Sequence, residues 1–191
     1  MDICETLGDT KSVKMYKGWY EDIKKAFNDA AWDGKWWIRW FDKEGNAYGT
    51  HKAKYGKIYC NSQSWSVMSG IAYGERAVMG MDSLNKLLNT ANGVKSSTPG
   101  YRGFDGRVGG ISTYPPGAKE NGGIFLHTNP WVMIAETILG RGDKAFQYYN
   151  QINPASKNAK LDEFESEPYC YPQNILGDEH KQFGMGRNAW L

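Results

Sequence analysis

The residues with the most chemistry in them lie in one stretch, Tyr114-Pro-Pro-Gly-Ala-Lys-Glu-Asn-Gly-Gly-Ile-Phe-Leu-His-Thr-Asn-Pro-Trp131. Pro115, Pro116 and Gly117 fix a loop, and Lys119, Glu120 and Asn121 follow as adjacent polar groups. His127 falls just before a predicted helix start, with Asn129 as the cap and Pro130 at the first helical position. The first N–H groups of a helix attract anions, so an imidazole beside them adds a donor toward a phosphate oxygen. The plainer alternatives are a capping or packed histidine and a solvated Lys–Glu pair of little energetic worth. A second stretch, Glu167-Pro-Tyr-Cys-Tyr-Pro-Gln-Asn-Ile-Leu-Gly177, puts Gln173 after a proline in an aromatic loop. Its amide can donate to an oxyanion or accept from a sugar hydroxyl, the alternative being an ordinary turn glutamine. His51 and His180 sit in charged stretches and read as surface residues. No metal-ligand spacing occurs, and the glycines of Gly103-Phe-Asp-Gly-Arg-Val-Gly-Gly110 open no helix, which argues against a nucleotide loop.

The elements that must position these groups are mostly helical. Trp19, Ile23, Ala26, Phe27 and Ala30 recur at helical spacing from Gly18 onward, and Trp32-Asp33-Gly34 closes that helix. Residues 1–16 read as a polar lead-in. Trp36 to Phe41 reads as a strand, followed by a hairpin-type turn over Asp42 to Asn46. Ala47–Thr50 and Lys57–Cys60 are short returning strands or extended loop. Ser62 to Ala72 carries Trp65, Met68 and Ile71 on one face. Glu75 to Asn89 buries Val78, Met81, Leu84, Leu87 and Leu88. Nine glycines and Pro99, Pro115 and Pro116 fall within residues 90–123, and so long a loop in a compact domain points to function. The next helix has Trp131, Ile134, Ala135, Ile138 and Leu139 on its apolar face. Asp143 caps the one after it, which runs to Gln151 with Ala145, Phe146 and Tyr149. Residues 153–187 are mostly loop. Helices in pairs, with no βαβ alternation and no fixed repeat, exclude a doubly wound sheet and a solenoid and suggest an α/α toroid or a helical-hairpin array.

Composition narrows the function classes. The chain has 191 residues, enough for one domain or a piece of a larger one, and a formal net charge of +2, so nothing in its charge calls for nucleic acid or a membrane surface. The longest apolar run, Trp131 to Ala135, is far short of a membrane span, and the acidic first 30 residues do not read as a secretory leader. Cys4, Cys60 and Cys170 are odd in number and far apart, as expected of reduced thiols in the cytoplasm. Eight Trp, 12 Tyr and 23 Gly suit either a cleft that stacks on flat, hydroxylated ligands or a thick aromatic core with long loops. The terminal Trp190-Leu191 pair and the polar start suggest a fragment with apolar surface exposed near that pair and on the 18–32 helix.

Tyr114 to Trp131 resembles the signature loop of the inverting disaccharide phosphorylases, glycoside hydrolase family ninety-four. Trp32-Asp-Gly-Lys-Trp-Trp-Ile-Arg39, Asn61-Ser-Gln-Ser-Trp65, Leu139-Gly-Arg-Gly-Asp143, Ile152-Asn-Pro-Ala155, Glu167-Pro-Tyr169 and Gln173 to Gly177 match in family order, so the likeness runs from Trp19 onward. It implies an all-α chain with long Gly/Pro/aromatic loops and a small β-hairpin, roughly half of an (α/α)6-barrel catalytic domain over residues 1–191, without the N-terminal β-sandwich and first barrel half. It also implies cleavage of a β-linked glucosyl sugar by inorganic phosphate with inversion, giving α-glucose 1-phosphate, with cellobiose or a cellodextrin the first expectation. His127 and Gln173 would hold phosphate, and Tyr114, Lys119 and Glu120 would line sugar subsites. No cofactor or metal is implied, phosphate being a co-substrate, and the family suggests a homodimer.

Departures from the pattern bear on activity. The family's general acid is an Asp in a Trp-Asn-Asp-Cys-Leu-Asn run, and these 191 residues contain no such run. The family's phosphate-binding arginines also precede the matched region, and a Ser/Thr-Gly-Thr that completes the phosphate site would follow Leu191. The expectation is an active parent enzyme and an inert fragment. Gly110 stands where cellobiose-specific relatives tend to have Glu, which opens the acceptor side. The competing readings are a non-catalytic carbohydrate-binding module stacking sugars on Trp36, Trp37, Trp40 and Trp65, and a hydrolase on the same barrel.

Overall fold

The computed structural model describes residues 1–189, so the expectation for Trp190-Leu191 lies outside the described residues. Helix dominates, with seven α-helices and four small antiparallel sheets among the described residues. Helices α1 (Asp2–Thr6) and α2 (Thr10–Ala30) come first. The sequence places the start of α2 at Gly18, eight residues late. The Asp9 carboxylate accepts from the Ser12 backbone N–H at 3.0 Å and caps a first turn that has no apolar stripe to announce it. The apolar face expected on the 18–32 segment is exposed: α2 has no buried residue, and Trp19 and Ile23 are 54% and 58% exposed. The helix is held at its C-terminal half, where Phe27 stacks on Trp37 at 4.7 Å and Asn28 donates to the Ile71 carbonyl at 3.0 Å.

The expected strand over Trp36 to Phe41 shrinks to β1 (Trp40–Phe41), paired with β2 (Ala47–Tyr48). The run from Ala31 to Ile38 has no ladder, is buried at Ala31 and from Trp36 to Ile38, and is turned back on itself by an isolated bridge between Trp32 and Trp37. Asp33 organises this turn by accepting from the N–H groups of Lys35, Trp36 and His51. The His51 ring lies 3.0 Å from the same carboxylate, so His51 is a half-buried partner of Asp33 and not a surface residue. Strand β3 (Ile58–Tyr59) pairs not with its neighbours in sequence but with β6 (Ser97–Thr98), beyond the hairpin of β4 (Asn89–Thr90) and β5 (Gly93–Val94).

Helices α3 (Cys60–Met68), α4 (Gly74–Leu88), α5 (Asn129–Ile138) and α6 (Gly142–Ile152) pack as neighbours, α3 against both α4 and α5, and α5 against α6. Three of the expected faces are rotated. Helix α3 buries Cys60, Gln63, Ser64 and Val67 and leaves Trp65 48% exposed. Helix α5 buries Val132, Ala135 and Glu136, with Ile134 and Ile138 outward. Helix α6 buries Tyr148 and Ile152, with Phe146 and Tyr149 outward, and Arg141 rather than Asp143 stands at its N-cap. In α4, Val78 is exposed while Ala77, Met81, Leu84 and Leu88 are buried.

The 153–187 region holds more than loop. A 3₁₀ helix (Pro154–Lys160) leads into α7 (Leu161–Phe164), and β7 (Ile124–Phe125), β8 (Pro172–Ile175) and β9 (Gly186–Ala189) make a three-stranded sheet in that order. This sheet adds to the small hairpin expected from the sequence and is compatible with a mainly helical chain. Its strands are two to four residues long and lie far apart in sequence, so no local alternation announces them.

Gln63 joins the first loop to the helices. Its Oε1 accepts from the Trp37 N–H at 2.9 Å, and its Nε2 donates to the carbonyls of Trp37 at 2.8 Å and Tyr59 at 3.2 Å, all three residues being buried. Removing it strands the buried N–H and carbonyl of Trp37. Gln63→Ala should destabilise the fold by about 3 kcal/mol, because each unsatisfied buried group costs on the order of 1–3 kcal/mol. Urea unfolding followed by tryptophan fluorescence measures this, and an unchanged midpoint would refute the bracing role.

Candidate functional site

His127 is placed by the turn from β7 into α5. The Thr128 hydroxyl donates to the Phe125 carbonyl at 2.9 Å and closes the turn. Asn129 does not cap the helix as the sequence suggests. Thr128 occupies the N-cap without a side-chain bond to the helix N–H groups, and Asn129 is the first helical residue. The Asn129 amide turns inward instead: Oδ1 accepts from the Val94 N–H at 2.8 Å, and Nδ2 donates to the Val94 and Phe125 carbonyls at 3.1 and 2.8 Å. This locks the start of α5 to the β4–β5 hairpin, with Pro130 in the first turn as expected. The His127 ring stays exposed and stands edge-on to Phe125 at 5.0 Å and to Trp131 at 5.4 Å, and Trp131 in turn meets Trp65 at 5.2 Å.

Glu120 reaches the same place from the glycine-rich loop. Its backbone carbonyl accepts from the hydroxyls of Ser96 and Ser97 at 3.0 and 3.2 Å. Next to it, Asn121 is fully buried and pairs with the backbone of Tyr101 at both N–H and carbonyl and with the Tyr114 carbonyl. Asn121 is thus a brace of the loop and not a ligand group. The loop is also locked to the segment after β8. The Gly177 N–H donates to the Gly117 carbonyl at 2.7 Å, and a Cβ on Gly177 would collide with the Gly122 carbonyl oxygen.

A cavity of about 210 Å³ is walled by Arg39, Tyr59, Asn61, Glu120, His127 and Thr128 among others. His127 and Glu120 therefore share one wall. Tyr114 and Lys119 meet each other instead, with the Lys119 ammonium 5.8 Å from the Tyr114 ring centre, and neither walls this cavity. Gln173 lies on β8 across from Leu126, whose N–H donates to the Gln173 carbonyl at 3.1 Å. That sets its backbone beside the residue preceding His127, outside the cavity wall.

Sequence reasoning missed Arg39, Tyr59 and Asn61. Arg39 makes no ion pair among the described residues. Its guanidinium lies 4.8 Å over the Tyr59 ring and 5.7 Å from that of Trp40. The signal was a lone cation ending the apolar run Trp36-Trp37-Ile38, in a strand whose other charges lie in the turn beyond it. A wider cavity of about 630 Å³ continues from the first, sharing Arg39, Asn61 and Ile111 and adding Trp40, Trp65 and Val108. Ile111 adjoins Gly110, so the loop read as opening the acceptor side does border the cleft. One end of the cleft is therefore small and holds a cation, a carboxylate and an imidazole, while the other is wide and aromatic. Trp36 and Trp37 are 6% and 1% exposed, which removes them as stacking platforms and leaves Trp40 and Trp65 at the cavity wall.

The family model of the glycosyl hydrolase 94 superfamily catalytic domain matches residues 1–191. The chain belongs to that family. It is 34% identical to an N,N′-diacetylchitobiose phosphorylase of Vibrio proteolyticus over all of this chain and 24% of the relative. It is 33% identical to a solabiose phosphorylase of Paenibacillus borealis over 88% of this chain and 22% of that protein. A cellobionic acid phosphorylase of Neurospora crassa is 28% identical over 99% of this chain and 25% of its own length. This glycosyl hydrolase 94 chain thus spans about a quarter of the length of these three relatives. No helix among its described residues is long and apolar enough to cross a membrane.

All three cysteines are free, and Cys60 sits between the cavity residues Tyr59 and Asn61, on the buried side of α3. Burial pushes its thiol up to about 12, so at pH 8 almost none is thiolate. An aromatic disulfide reagent should label Cys4 and Cys170 in the native chain and reach Cys60 only after denaturation. Rapid native labelling of Cys60 would show that the core around α3 opens.

Proposed function

We propose that this chain is part of an (α/α)6-barrel enzyme that cleaves a β-linked glucosyl disaccharide or oligosaccharide with inorganic phosphate, inverting the anomeric centre to give α-glucose 1-phosphate. Cellobiose and a cellodextrin are the first substrates to try, and the reaction makes the enzyme a glycosyltransferase-type phosphorylase. The observation that carries the reading is the shared wall of His127, Glu120 and Arg39 in one small cavity that opens onto an aromatic groove. Support also comes from the relatives, whose names are those of phosphorylases of several disaccharides.

Inversion needs an acid on the leaving oxygen and a nucleophile on the opposite face of the ring. In this reading the cavity serves the nucleophile side. A phosphate dianion leaving water needs donors, and the His127 ring beside the N-terminus of α5 and the Arg39 guanidinium supply them. Gln173, one strand over, is assigned to the same phosphate. Glu120 is unsuited to phosphate by charge and accepts from sugar hydroxyls, with Tyr114 and Lys119 completing the sugar side. Trp40 and Trp65 suit the flat face of a pyranose further along the groove. The acid comes from outside these 191 residues, so the chain alone is expected to be inert, and the intact enzyme to work as a homodimer in the cytoplasm.

In a protein carrying the whole catalytic domain, His127→Ala should lower phosphorolysis about ten- to a hundredfold at sub-saturating phosphate. That is the equivalent of losing one charge-assisted bond of roughly 1.5–3 kcal/mol. Glu120→Gln should raise the KM for the sugar with a smaller effect on phosphate dependence. Steady-state rates at varied phosphate and cellobiose separate the two. The reverse pattern would exchange the roles of these residues, and full turnover without phosphate would replace the phosphorylase by a hydrolase.

A further inference from the structure

Away from the cleft, a pocket of about 550 Å³ opens between the outer face of α6, the tip of the β4–β5 hairpin and the 3₁₀ helix Pro154–Lys160. It shares no wall residue with the two cavities of the cleft. Lys157 is its unusual member, a lysine only 6% exposed whose ammonium has one partner, the neutral Asn92 Oδ1 at 2.7 Å. No carboxylate pairs with it among the described residues. Asp143 lies on the pocket wall and pairs with neither Lys157 nor Lys160. An ammonium taken out of water without a counter-ion is costly, and here a second cation, Lys160, stands three residues on, on the same side of a 3₁₀ turn. Burial first, and then Lys160, push Lys157 down to about 8. Lys157 thus has no counter-ion among the described residues, and two cations stand against the single carboxylate of Asp143 in this pocket.

Its other walls suit a sugar. Phe146 is 64% exposed and lies nearly parallel to Tyr149, at 24°, presenting a flat apolar face. Gln147, Asn150 and Asn92 surround it with amides, and Gln151 Oε1 is buried with no hydrogen-bond partner, an acceptor that lacks its donor. Aromatic face, amides and an acceptor seeking a hydroxyl are the means by which proteins hold a pyranose, and two ammonium groups match a phosphate dianion better than a monoanionic carboxylate.

We propose that this pocket is a second, non-catalytic binding site for a monosaccharide phosphate, its phosphate between Lys157 and Lys160 and its ring against Phe146. The site stands independently of the cleft chemistry proposed above, because none of its residues takes part there.

The test is calorimetric titration of the 191-residue chain carrying His127→Ala, which weakens the cleft, with α-glucose 1-phosphate, glucose, glucuronate and inorganic phosphate. The sugar phosphate should bind at least about tenfold more tightly than each of the other three. Lys157→Met, which keeps the buried stem, and Phe146→Ala, on an exposed side chain that folding does not need, should each weaken it about tenfold. Affinity unchanged in both variants, or equal affinity for the sugar phosphate and inorganic phosphate, would overturn the proposal. In the unsubstituted chain, amide NMR signals of Asn92, Gln151 and Lys157 should shift on adding the sugar phosphate, and shifts confined to the neighbourhood of His127 and Glu120 would also overturn it.

Discussion

Three buried side-chain amides hold the loops of this protein in place. Gln63, Asn121 and Asn129 are each at zero exposure, and each makes three hydrogen bonds to the backbone. Long irregular segments can be buried only if their N–H and C=O groups find partners, and here side chains supply them. Each amide also sets one wall of the cleft. Gln63 holds the Trp37 peptide two residues before Arg39, Asn121 holds the chain around Glu120, and Asn129 holds the turn that carries His127. The positions of the three charged or ionisable groups in the cavity thus follow from three neutral ones behind them.

Charge is distributed on the same plan. Around the scaffold it is matched. Arg141 joins α6 to Glu136 of α5 and Asp82 of α4, the 5%-exposed Lys95 pairs with Asp178 at 2.7 Å, and the Glu179 carboxylate accepts from the Thr98 hydroxyl and the Gly100 N–H. The last two contacts staple the segment after β8 onto the β6 region and add to the backbone clamp of Gly177 on Gly117. In the cleft, Arg39 rests on aromatic rings alone. A guanidinium stacked on tyrosine keeps its N–H edges free for an anion, whereas one in an ion pair has spent them. Arg39 thus differs from Arg141 and Lys95, which donate to carboxylates.

Aromatic residues divide in the same way. Trp37 is sealed in the core against Phe27 and Trp32, and Trp36 donates its indole N–H to the carbonyls of Gly49 and Lys57 at 2.9 Å. Trp40 and Trp65, from the same run and from the next helix, face the cavity. Neighbours of identical type therefore do opposite work. The difference comes from where the chain turns at the Trp32–Trp37 bridge and from which side of α3 meets α4 and α5.

The amino-acid sequence alone determined the family, the existence of the main helices, and His127 and Glu120 as residues to watch, because long motifs and helical periodicity are local properties of the chain. It placed the start of α2 late and rotated the buried faces of α3, α5 and α6, since periodicity says that a helix has an apolar side but not which neighbour will cover it. It read Asn129 as a cap, saw Asn121 only as one polar group beside Glu120, and missed Arg39. Those roles were decided by tertiary structure. Asn129 bonds to Val94, 35 residues away, Gln63 to Trp37, 26 away, and Asn121 to Tyr101, 20 away. A side chain that serves a distant backbone has no signature in the residues beside it. The chemistry was therefore legible where it lay within one motif, and hidden where it depended on loops brought together by hydrogen bonds across the fold.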